Sequence, residues 1–220
     1  VPALNGNEET YLKECVASNF VSSIGPFVKK FEGLLCEKTG FKHSVAVSSG
    51  TSALQIALIA NGVKKDDLVI IPSYTFIATA NAVSHCNAKP WIVDISEKDW
   101  NLDFQKLRFL LKNETYFNKK KELRHKLSNR RVSAIVPVFC LGLPVDYEEA
   151  NALAEEFNLK LVIDAAAGIG ATFKNRSLGK LEQNSLIMSF NGNKIVTSGG
   201  GGAILTNEAD TAEMAYHLST

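Results

Sequence analysis

Seven short apolar runs punctuate the chain: VAVS (45–48), LVIIPS (68–73), PWIVDI (90–95), SAIVPVF (133–139), KLVIDA (160–165), SLIMSF (185–190) and GAILTN (202–207). Most are nearly continuous rather than alternating, the pattern of strands covered on both faces. Helical segments lie between them. The clearest spans 146–157, with apolar residues at 147, 150, 153, 154 and 157 and a capping-box-like start from Asp146 and Glu149. Alternating strands and helices predict an α/β class, a mostly parallel seven-stranded sheet covered by helices. The segment 112–131 breaks the pattern with eight Lys or Arg against two Glu. It reads as a solvated surface excursion, with a basic patch facing an anionic ligand as the alternative.

Composition narrows the class without naming a chemistry. The 220 residues are 45% hydrophobic and 21% charged, the balance of an ordinary globular protein with a sizeable core. No run of about 18 uncharged apolar residues occurs, and the opening VPALNGNEET lacks a basic segment leading into an apolar one, so neither a membrane helix nor a signal peptide is expected. The formal net charge of +1 gives no reason to expect nucleic acid or an anionic membrane as partner. Cys15, Cys36, Cys86 and Cys140 form no CxxC pair and the four histidines no HxxxH-like cluster, so no metal site is expected. The cysteines read as reduced, mostly buried thiols of a cytoplasmic protein.

Ligands of an open parallel sheet bind beyond the carboxyl ends of its strands, so the residues after each run carry the candidate chemistry. After VAVS, the small turn Ser49-Gly50-Thr51-Ser52 opens a helix whose free N–H groups suit a phosphate, although it also reads as an ordinary N-cap. After KLVI comes Asp164, a cap or turn residue or else a buried carboxylate awaiting a cation, followed by Ala165-Ala166-Ala167-Gly168, small enough for close packing. Gly168 and Gly170 resemble a dinucleotide loop only in part, since Phe173 stands where the third glycine belongs. After SLIMSF comes Lys194, then TSGGGG. A solvated lysine is the ordinary reading; a lysine held in a cleft beside bare backbone that admits a ligand is the chemical one, and such a lysine forms Schiff bases. Pyridoxal phosphate would give each end a role: an imine from Lys194, the phosphate at Gly50-Thr51-Ser52, Asp164 against the pyridine nitrogen, and Phe76 of PSYTF stacked on the ring.

Together FVSSIGPFVKKFE (20–32), SSGTSALQIAL (48–58), PSYTFIATANAV (72–83), VIDAAAGIGA (162–171) and SFNGNKIVTSGGGGAI (189–204) closely resemble the DegT/DnrJ/EryC1/StrS family of sugar-nucleotide aminotransferases. The resemblance implies the large domain of a fold-type-I, pyridoxal-phosphate-dependent transferase: an N-terminal segment 1–44, an αβ core 45–220, and a smaller C-terminal domain absent from this chain. It implies Lys194 as the covalent attachment point and proton shuttle, Asp164 as the partner of the pyridine nitrogen, Phe76 as the stacking ring, and Thr51, Ser52 and Ser189 as phosphate ligands. Ala167 stands where many relatives carry a glutamine near the cofactor's phenolic oxygen. The implied activity moves an amino group, from L-glutamate as expected donor, to a keto group of a nucleotide-linked sugar in a homodimeric enzyme. GNEETYLKEC and SFNGNK resemble the branch acting on UDP-linked 4-keto-6-deoxy-N-acetylhexosamines, on routes to legionaminic-acid-like or bacillosamine-like sugars. Two rivals remain: a cofactor-dependent sugar dehydratase, whose relatives replace the lysine with histidine, and a non-catalytic ligand-binding or regulatory protein of the same fold.

Overall fold

The apolar runs are hydrophobic on both faces because the sheet they build is covered on both. The computed structural model describes residues 3–22, 24–181 and 183–220, so Ser23 of the motif at 20–32 lies outside the described residues. All seven runs become strands of one sheet: β1 (His43–Val47), β2 (Leu68–Pro72), β3 (Lys89–Val93), β4 (Val132–Ile135), β5 (Lys160–Asp164), β6 (Ser185–Ser189) and β7 (Gly202–Thr206). Their order across the sheet is β1-β7-β6-β5-β4-β2-β3. Strands β3, β2, β4, β5 and β6 pair in parallel, whereas β7 runs antiparallel to both its neighbours.

Seven helices accompany the strands among the described residues: α1 (Glu8–Ser18), α2 (Pro26–Thr39), α3 (Gly50–Ala60), α4 (Ile77–His85), α5 (Phe104–Glu114), α6 (Tyr147–Glu156) and α7 (Ala209–Ser219). Successive residues of each strand enter opposite cores, because side chains alternate across a pleated sheet. Ile70, Leu161, Ile163, Leu186 and Leu205 pack with Leu107 and Leu111 of α5 and Leu153 of α6. Val69, Ile71, Val162, Ile187 and Ile204 pack on the other face with Leu54 and Leu58 of α3, Val83 of α4 and Ala215 of α7. Each such side chain contributes about 1.5–3 kcal/mol on burial, so both layers of helices are held by the same strands.

The start expected for α6 forms in part. Asp146 accepts hydrogen bonds from the Glu148 and Glu149 amides, but the Glu149 carboxylate turns to Arg108 of α5 at 3.5 Å. The basic segment 112–131 is a hairpin, Thr115–Phe117 against Leu123–His125, that reaches the surface at Lys119, Lys120 and Lys121. Its arginines are committed: Arg124 to Glu122, Arg130 to Asp66 at 2.7 Å, and Arg131 to Asp67. Arg130 and Arg131 fasten the hairpin to the turn before β2, which disfavours the anion-facing alternative. The four cysteines are free, but only Cys86 and Cys140 are buried; Cys15 and Cys36 are half-buried, against the expectation of mostly buried thiols. Burial pushes the Cys86 thiol up to about 11, so it stays protonated near neutral pH. No helix among the described residues is long and apolar enough to cross a membrane, and no metal-binding cluster is present among them.

Candidate functional site

Asp164 is the last residue of β5 and pairs across to Ile187 of β6. Strand alternation turns its side chain to the Val162 face, beneath α3 and α4, where the residue is only 6% exposed. Two donors hold its carboxylate: Thr79 Oγ1 of α4 gives a hydrogen bond to Oδ2 at 2.8 Å, and the Ala166 amide one to Oδ1 at 3.1 Å. Burial pushes the carboxyl above its ordinary range; the Thr79 and Ala166 hydrogen bonds and the positive charge of Lys194 pull it back down. A carboxylate accepts about four hydrogen bonds, so this one retains capacity for a cationic N–H.

The small turn after β1 is bound into the same end of the sheet. Ser49, with extended backbone, caps α3, its Oγ accepting from the Ser52 amide at 3.0 Å, so the helix begins at Gly50. The Gly50 and Thr51 amides in this first turn have no partner within the helix, and they carry the positive end of its dipole. A Cβ at Gly50 would stand 2.8 Å from Ser189 Cβ, so the glycine lets the last residue of β6 reach the start of α3. The glycine run has a different task from the one its sequence suggests. A Cβ at Gly202 would meet the Ser49 carbonyl at 2.4 Å, and Gly201, with φ +127°, bridges to Ser49. Gly201 and Gly202 therefore admit the chain's own turn, while a Cβ at Gly199 would meet nothing within 4 Å, so bare backbone open to a ligand is confined to the first part of the run.

Lys194 lies in the loop between β6 and β7, which closes on itself through Phe190 N–H to Gly201 O at 2.9 Å and Ser198 N–H to Phe190 O at 3.0 Å. That closure returns the loop over the carboxyl end of β6, beside β5, where half-buried Lys194 acts on Asp164. Phe76 caps α4 without a side-chain hydrogen bond and exposes 76% of its surface, one turn from Thr79. The small run after Asp164 is packed as expected: the Phe139 ring lies against Gly168, and Gly142 against the Ala167 carbonyl. Half-buried Ala167 offers only a methyl group. Gly168 and Gly170 form a turn into the short hairpin Thr172–Phe173 with Arg176–Ser177, not the start of a helix, in keeping with rejection of a dinucleotide loop. Sequence reasoning missed Thr79 and its partner Thr75; their four-residue spacing at the entry to α4 is the signal that could have found them.

The structure thus gathers Asp164, Lys194, Ser189, Gly50, Thr51, Ser52 and Phe76 at one end of the sheet. The family described as the DegT/DnrJ/EryC1/StrS aminotransferase family matches residues 2–220. Among curated relatives, GDP-perosamine synthase of Caulobacter vibrioides is 38% identical over 96% of this chain and 52% of its own. A crystal structure of a DegT DnrJ EryC1 StrS aminotransferase from Brucella abortus is 31% identical, with a TM-score of 0.83, covering 94% of this chain and 52% of that one. The structure of ntda from Bacillus subtilis with bound cofactor PMP is 29% identical, with a TM-score of 0.80, covering 96% of this chain and 44% of that one. The chain spans about half the length of the curated relatives it matches.

Proposed function

This chain belongs to the DegT/DnrJ/EryC1/StrS aminotransferase family, and on that premise we propose that it is the cofactor-binding part of a pyridoxal-phosphate-dependent aminotransferase acting on a nucleotide-linked keto sugar. The observation that carries the reading is Asp164: a buried carboxylate with acceptor capacity to spare, held by Thr79 in the first turn of α4 and within the field of Lys194. The residues fit the group. The contact between Gly50 and Ser189 brings hydroxyls and helix amides to one place for a phosphate, and Asp164 supplies the charge a protonated pyridine needs.

When bound, the cofactor supplies an aldehyde that takes up an amino group and a ring that accepts electrons. The protein's part is positioning and proton management. Asp164 would hold a proton on the ring nitrogen, and Lys194 Nζ would serve as the covalent anchor and as the group that accepts and returns a proton. Thr51, Ser52 and Ser189 would bind the phosphate, and exposed Phe76 would stack on the ring. The Ala167 methyl would give the phenolic oxygen no hydrogen bond, so that contact would come from elsewhere or be missing. Lys194→Ala is expected to abolish amino transfer and the visible absorbance of bound cofactor; turnover near the wild-type rate would refute the lysine's role.

The donor is proposed to be L-glutamate on the family resemblance, and the acceptor a UDP-linked 4-keto-6-deoxy-N-acetylhexosamine on GNEETYLKEC and SFNGNK. The name of the Caulobacter relative carries a GDP-linked sugar, so the assay runs GDP- and UDP-linked keto sugars side by side. Distal binding groups lower the barrier at the reacting centre, so the free keto sugar is expected to be a far poorer acceptor than its nucleotide form. Equal activity on both, or activity with simple 2-oxo acids alone, would contradict a nucleotide-sugar acceptor. The 220 residues are proposed as the large domain of a protein with a further, smaller C-terminal domain, active as a homodimer.

A further inference from the structure

We propose that Thr79 is a positioning residue of this site: with Thr75 it forms a one-way hydrogen-bond relay into Asp164 Oδ2 that fixes the carboxylate's orientation and keeps it charged. Thr79 is 0% exposed, so no solvent competes for its hydroxyl. That hydroxyl has one proton and two close oxygen neighbours, Asp164 Oδ2 at 2.8 Å and Thr75 Oγ1 at 2.8 Å. An ionised carboxylate can only accept, so Thr79 donates to Asp164 and Thr75 must donate to Thr79. The only other hydrogen bond of the Thr75 hydroxyl among the described residues, to the Phe76 carbonyl, is long at 3.4 Å. The relay therefore has a direction, set by the charge at its end.

Its place in the fold supports the role. Thr79 lies in the first turn of α4, whose N-cap Phe76 makes no side-chain hydrogen bond. A threonine in a helix commonly turns back to its own backbone, but this one reaches across 85 residues to another element. The first turn of α4 also brings the positive end of the helix dipole to the carboxylate. Against full burial, the charged form is supported by the Thr79 hydroxyl, the Ala166 amide and Lys194 from the loop after β6; no other charged group among the described residues acts on it. Thr79 is the single side-chain donor in that set.

The inference rests on the cofactor reading only for its effect on catalysis, so the first measurement omits the cofactor. The carboxyl carbon of Asp164 is followed by ¹³C NMR in aspartate-labelled protein, its signal assigned by its loss in Asp164→Asn. Thr79→Val is expected to raise the midpoint by roughly one to two pH units, the size of one lost hydrogen bond to a charged group, whereas Thr79→Ser keeps it. Thr75→Val, at a half-buried position, is expected to shift it the same way by less. In the cofactor-loaded protein, Thr79→Val should lower kcat at least about tenfold, leave KM for the acceptor within about twofold, and move the acid limb of the pH profile upward. An unchanged midpoint in folded Thr79→Val would overturn the proposal. If that variant does not fold, a Thr75→Val midpoint equal to wild type, or a shift in Thr79→Ser as large as that expected for valine, would overturn it instead. Failure of the wild-type protein to bind cofactor would sink the aminotransferase reading while leaving the titration result standing.

Discussion

Asp164 is where the fold and the chemistry pull in opposite directions. Burial raises its folded-state pKa above the unfolded value, and the Thr79 and Ala166 hydrogen bonds and Lys194 offset this only in part. The native state then holds the proton more tightly than the unfolded chain. The sign follows: the stability contributed by the protonated form is fully present below the unfolded pKa and is lost as pH rises through the folded pKa. A cation bound at Oδ1 or Oδ2 would reverse that loss, which is why the position suits a protonated ring. Asp164→Asn removes the charge while keeping the shape. It is expected to leave the cofactor-free protein folded and to flatten this part of its stability profile between acid and neutral pH, read by thermal melts. Amino transfer should fall by several powers of ten, since an amide cannot balance the ring's positive charge and each ~1.4 kcal/mol is tenfold in rate. A rate lowered by less than about tenfold would mean the carboxylate is only structural.

Among the elements, two glycines of opposite character test how the site is assembled. Gly33 sits inside α2, and a methyl group added there would have nothing within 4 Å, while the same methyl at Gly202 of β7 would strike the Ser49 carbonyl at 2.4 Å. Gly33→Ala relieves backbone entropy in a helix and is expected to stabilise by about 0.5–1 kcal/mol. Gly202→Ala forces β7 away from the turn that opens α3 and is expected to cost about 1–3 kcal/mol. It should also weaken phosphate binding, because Ser49 and Gly50 move with the turn. Urea midpoints of the two variants decide it; equal effects of the same sign would show that the approach of β7 to Ser49 is not what requires glycine at 202.

Over the whole molecule, apolar side chains are left uncovered at several places, α1 and the segment after it among them. Helix α1 buries no residue, and Leu12, Val16, Val21, Ile24 and Ile195 are each more than 60% exposed. Beneath α1 and α2, a cavity of about 820 Å³ runs along Phe190 and the glycine-rich loop 197–202. Exposed apolar surface around such a cavity favours association. These 220 residues on their own are therefore expected to sediment as oligomers or aggregates. They should bind pyridoxal phosphate more weakly than a protein of the relatives' full length. A clean monomer that binds cofactor as tightly and turns over as fast as the longer protein would overturn the proposal of a two-domain, dimeric site.

The sequence by itself determined the strands, the Asp146 cap of α6 and the small turns that follow the strand ends. Each rests on local physics: a run buried on both faces is apolar at every position, an Asp two or three residues before free amides caps them, and small residues mark tight turns. The neighbours were decided by the tertiary structure alone. An apolar run carries no direction, so nothing in GAILTN announces that β7 runs against its neighbours. Nothing in TFIATANAV pairs Thr79 with Asp164, and nothing in the glycine run shows that Gly202 makes room for Ser49 rather than for a ligand. Those contacts join residues far apart in the chain, and the order of strands in the sheet, which brings β5 beneath α4 and β7 beside β1, fixes them.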